Sequence, residues 1–132
     1  MKKEEKLYEV LGELLYAVAM ADGVIQAEER TAFKALFKNH PYGDKISWSF
    51  EYEESKKSSL EEIYNKVINF CHGYGATPIY SEFIEAMNSI AKAANGVEEN
   101  ETKIIDSFST DLSKRFQRDA QSLMDYTREE RD

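Results

Sequence analysis

Two stretches of this chain repeat one another, and a repeat restricts the fold more than any other feature of a sequence this short. Ala21-Asp22-Gly23-Val24-Ile25-Gln26-Ala27-Glu28-Glu29 recurs as Ala94-Asn95-Gly96-Val97-Glu98-Glu99-Asn100-Glu101. Upstream of the turns, Val10, Leu11, Leu14 and Ala21 correspond to Phe83, Ile84, Met87 and Ala94. With the second turn one residue shorter, Ile25, Glu29, Phe33 and Leu36 correspond to Val97, Glu101, Ile105 and Phe108. Each half, roughly 4–40 and 78–125, reads as helix, glycine turn, helix. Neither hairpin can bury its apolar face alone, so the two should pack together about a pseudo-twofold axis. The two turns, with their carboxylates, would then occupy comparable positions. The expectation is an all-α, single-domain bundle over residues 1–132 with about 5–7 helices.

The helices follow from apolar spacing. Leu7, Val10, Leu11, Leu14, Leu15 and Val18 make one face, ending at Asp22-Gly23, where glycine can take a left-handed cap. Gln26 is the expected N-cap of a second helix, with Glu28 and Glu29 in its first turn and Glu29 placed to reach back in a capping box. That helix runs through Phe33, Leu36 and Phe37 and stops before Pro41. Over 42–58 the reading changes. Ile46, Trp48, Phe50 and Tyr52 alternate with polar residues, which predicts an extended or irregular arm, lying across the helices or pairing in a dimer; a helix is the alternative. A further helix is predicted from Ser59 to Cys71, with a stop at His72-Gly73-Tyr74-Gly75. Another follows Pro78, and a last one carries Ile104, Ile105, Phe108 and Leu112. The tail continues helically through Phe116, Ala120, Leu123 and Met124, after a kink near Ser109 or Ser113.

Charge and composition exclude several function classes. Twenty-five acidic against 17 basic side chains give a net charge of -8, which repels nucleic acid and favours cations or basic protein surfaces. No run approaches the ~20 apolar residues that span a bilayer, and the charged start is not followed by an apolar leader core, so a cytoplasmic location without membrane insertion is expected. Cys71 is the only cysteine, which excludes an internal disulfide and, with His72 alone beside it, a zinc site. The first turn matches only the later half of an EF-hand: Val18 and Met20 stand where oxygen ligands are needed. No serine elbow, phosphate-cradling loop or paired nucleophile and base is present, so no enzyme activity is expected. Trp48, Phe50 and Tyr52 either cover an open end of the core or form a partner-binding surface, for example of a homodimer or scaffold.

An Ala-Asp-Gly turn closing an apolar helix, with a glutamate seven residues after the aspartate, resembles the first signature of the TerB-like (tellurite-resistance B) family. Ala94-Asn95-Gly96 resembles the second. The resemblance covers roughly residues 4–125, apart from 41–59. It implies paired helical hairpins and a non-enzymatic, stress-associated role. The family includes tellurite-resistance proteins and the N-terminal domain of a membrane-anchored DnaJ-like co-chaperone. It also implies a metal ion at Asp22, Glu29, Asn95 and Glu101; their hard oxygen ligands favour a divalent magnesium, calcium or manganese over zinc, and no other cofactor is expected. Asn95 departs from the family's aspartate. Without the resemblance, Asp22 and Glu29 read simply as helix termination and capping.

Overall fold

The computed structural model describes residues 3–93 and 99–130, and side chains up to residue 125. Ala94, Asn95, Gly96, Val97 and Glu98, which carry the second turn, lie outside the described residues. Six helices are described: α1 (Lys3–Ala19), α2 (Ala27–Phe37), α3 (Gly43–Lys56), α4 (Leu60–Tyr74), α5 (Ile79–Ala93) and α6 (Glu99–Glu130). No strand occurs among the described residues.

α1 is the axis of the bundle. Leu7, Leu11, Leu14, Leu15 and Val18 are fully buried, and α3, α4, α5 and α6 all pack against it. The hairpins interlock: α2 lies on α5, and α6 lies on α1. Each hairpin's second helix therefore rests on the first helix of the other, as a pseudo-twofold arrangement requires. Tyr8, near the start of α1, bonds Glu82, near the start of α5. At the opposite end, Ala17 shares a surface hollow with Lys103, Ile104 and Ser107 in the first turns of α6. Both hairpins thus turn at the same end of the bundle.

The caps are those the sequence predicts. Gly23 has φ of 94°, a conformation that costs other residues, and turns the chain out of α1. Glu29 Oε1 accepts the Gln26 N–H at 2.9 Å. Ser59 Oγ caps α4 by accepting from Glu62 N. α4 runs past His72 to Tyr74, and Gly75, with φ of 105°, ends it.

Three expectations are corrected. Residues 43–56 are helical, not extended. Two helical residues rotate 200°, so the apparent alternation is two i,i+4 pairs on opposite faces. Ile46 and Phe50 point inward beside Ser49 and Glu53, while Trp48 and Tyr52 point out. Phe50, read as partner-binding, is a core residue packed on Tyr16 and Phe33. Leu36 is exposed and Phe37 takes the buried place, so Leu36 does not match the buried Phe108. α6 runs as one uninterrupted helix of 32 residues through Ser109 and Ser113, and Leu112 between them is held in the core.

Candidate functional site

The first turn places Asp22 in solvent, where Oδ1 accepts the Val24 N–H at 3.4 Å. Glu29, seven residues on, is buried to 1% exposure. One of its oxygens bonds Gln26 N; the other, Oε2, is buried without a hydrogen-bond partner. Glu101 is fully buried at the equivalent place, the third residue of α6 as Glu29 is the third of α2. The repeat thus extends from core packing to a pair of buried carboxylates. The structure places Asp22, Glu29 and Glu101 at the turn end of the bundle; Asn95 is outside the described residues. Among the described residues, no three His, Cys, Asp or Glu side chains converge to hold a metal.

Beside this turn runs a groove of about 720 Å³, lined by Tyr16, Met20, Val24, Ile25, Lys57 and Leu60. Its wall carries a two-pronged Arg30–Glu54 ion pair, with Nη1 to Oε1 at 3.1 Å. The guanidinium holds the Glu54 carboxyl below the usual carboxylate range.

A second acidic cluster was not legible in the sequence. Glu13 of α1 and Glu53 of α3 both face Lys66 of α4, whose Nζ lies 3.0 and 3.7 Å from their Oε1 atoms. Glu53 is buried, and Glu13 Oε2 is buried without a hydrogen-bond partner. Burial pushes the Glu13 carboxyl up against the opposing pull of Lys66. The three residues come from three helices, so no spacing rule joins them. The one local hint is Gly12, a glycine inside a strong helix.

The histidines are structural. His40 Nε2 meets Glu82 Oε1 at 2.7 Å, and its Nδ1 accepts the Tyr42 N–H at 3.0 Å. Glu82 Oε2 also takes the Tyr8 hydroxyl at 2.7 Å. His72 bonds Asp119, and with Tyr64–Asp111 and Asn69–Arg115 it forms a polar ladder fastening α6 to α4. Cys71 is buried and its thiol is pushed up to about 12 by desolvation, which makes it a core residue and not a nucleophile.

Paired hairpins, glycine turns and matched buried glutamates form one pattern, and the comparison with protein families decides what it is. The family model described as tellurite resistance protein TerB matches residues 9–113. The chain belongs to the TerB family. The match covers both hairpins down to α6 and includes α3, which the sequence alone did not align. No curated protein and no solved structure matches the chain. As a TerB domain it is a member of a generally non-catalytic group of modules. No described helix is long and apolar enough to cross a membrane.

Proposed function

We propose that this TerB domain is a non-enzymatic binding module whose acidic turn region holds a divalent cation, in a cytoplasmic, stress-associated setting related to tellurite resistance. The observation that carries the cation is Glu29 Oε2, buried with no hydrogen-bond partner. A half-satisfied carboxylate in that position is costly, and a cation beside it offsets the cost. The family resemblance adds Asp22, Asn95 and Glu101 as ligands; because no three described carboxylates converge, an ion at Glu29 would have to draw the described ones toward it, with water filling most of its shell. Such a set suits magnesium, manganese or calcium and not zinc.

Calorimetric titration with magnesium, calcium, manganese and zinc tests this. The wild type should bind one of the first three with measurable heat and a raised melting temperature. Glu29→Gln and Asp22→Ala should each weaken binding by about tenfold or more. No heat and no melting shift with any of the four ions would leave Glu29 as a capping residue only.

A second reading has its own observation. Trp48 and Tyr52 stack at 5.3 Å on the outer face of α3, and Lys56 sits 5.8 Å over the Tyr52 ring. Trp48 is 59% exposed, which suits a protein contact such as a homodimer or scaffold. Trp48→Ser should then lower the mass seen in sedimentation; an unchanged mass dismisses a homodimer through this face.

A further inference from the structure

We propose that two copies of this chain pair antiparallel through the distal half of α6. This helix outruns the bundle it closes: its 32 residues span ~48 Å. The ladder to α4 ends at Asp119, and every residue from Gln117 to Asp125 is exposed. The apolar stripe does not stop with the bundle. It is buried at Ile105, Phe108 and Leu112, half-buried at Phe116, and continues through Ala120 to Leu123, 66% exposed, with Met124, 53% exposed, flanking it. The exposed part is thus continuous with the interface that α6 makes with α5.

The stripe also meets a hollow that fits it. Tyr80, Ile84, Phe108, Leu112 and Phe116 line a depression of about 190 Å³ at the base of the overhang. Leu123 lies two turns beyond Phe116 on the line of the hollow, and Met124 flanks it. An antiparallel pair crossing at Ala120 sets each copy's knob, Leu123 and Met124, against the other's Phe116, beside that hollow. The small side chain at the crossing lets the helices approach. Because each copy offers the same knob and the same hollow, the contact closes at two.

Charge selects the same occupant and direction. Residues 114–118 carry Lys114, Arg115 and Arg118 with no acid, and 119–125 carry Asp119 and Asp125 with no base. Antiparallel pairing brings the basic stretch of one copy toward Asp125 of the other, whereas parallel pairing sets like against like. The segment has three basic and two acidic groups on a chain of net charge -8, so here two copies can meet without the repulsion the rest of the surface imposes.

Sedimentation velocity and light scattering on the whole chain at submillimolar concentration read the outcome. The wild type should show twice its 15.2 kDa mass. Met124→Glu, at an exposed site, should keep the wild-type melting curve while weakening the dimer by more than about tenfold. The double variant Lys114→Glu/Arg118→Glu and the single variant Asp125→Lys should each be monomeric alone and form a heterodimer when mixed. Trp48→Ser should leave the dimer intact. A monomeric wild type overturns the proposal. So does a dimer that survives Met124→Glu, a mixture that forms no heterodimer, or a dimer lost with Trp48→Ser, which would move the contact to α3.

Discussion

Gly12→Val should unfold the bundle or leave it marginal, with a loss of more than about 4 kcal/mol. α1 crosses α3 at Gly12 with no room for a side chain. A Cβ there would overlap the Ile46 carbonyl oxygen and come within 2.8 Å of Ser49 Cβ. The first obstacle is backbone inside a helix, which cannot rotate away as a side-chain tip can. Relief requires α3 to move off α1, and that movement would open the layer holding Ile46 and Phe50. Against a total stability of roughly 5–15 kcal/mol, such a loss is decisive. Gly12→Ala should cost less, about 2–3 kcal/mol, since only the Cβ must be accommodated. Gly73→Ala supplies the contrast: nothing lies within 4 Å of its Cβ, and it sits inside α4. That change should be neutral or stabilise by up to ~1 kcal/mol through the unfolded chain. Urea unfolding followed by circular dichroism measures all three. A Gly12→Val protein with a wild-type midpoint would mean that α1 and α3 do not cross as described.

The same crossing explains what the sequence could and could not disclose. α1, α2, α4 and α5 were legible because their apolar residues recur at i, i+3 and i+4, and because glycine, proline and serine mark their ends. The repeat gave the relation between hairpins. α3 was misread because half of its buried stripe is polar. With Ser49 and Glu53 discounted, Ile46 and Phe50 look like alternate residues of a strand, and Phe50 looks like a surface aromatic. Burial of Glu29 and Glu101 was hidden for a related reason: an acid in a first helical turn ordinarily faces solvent. The cluster of Glu13, Glu53 and Lys66 depends on three helices meeting, which periodicity within any one of them does not report.

That cluster gives the second large effect. Lys66→Met should destabilise the chain by about 2 kcal/mol at pH 7, a loss kept modest because the ammonium is itself half in water. The methionine keeps the bulk of the stem but removes the cation that faces Glu13 and Glu53. Both carboxylates then lose their cation in a layer where Glu53 is 1% exposed and Glu13 Oε2 already lacks a hydrogen-bond partner. The pH dependence fixes the cause. Burial raises the Glu13 carboxyl above its unfolded value, and Glu53 adds to the rise, while Lys66 pulls the other way. A raised carboxyl favours folding when protonated, so its contribution is fully present below the unfolded pKa and is lost as pH rises through the folded one. Removing Lys66 raises Glu13 further and widens that window upward. The deficit of Lys66→Met should therefore shrink as pH falls from about 7 to about 4. Adding Glu13→Gln, which cannot ionise, should recover roughly half of the loss at pH 7 and flatten its pH dependence. A deficit that is the same at both pH values, and untouched by Glu13→Gln, would show that Lys66 acts through packing of its stem and not by neutralising the two carboxylates.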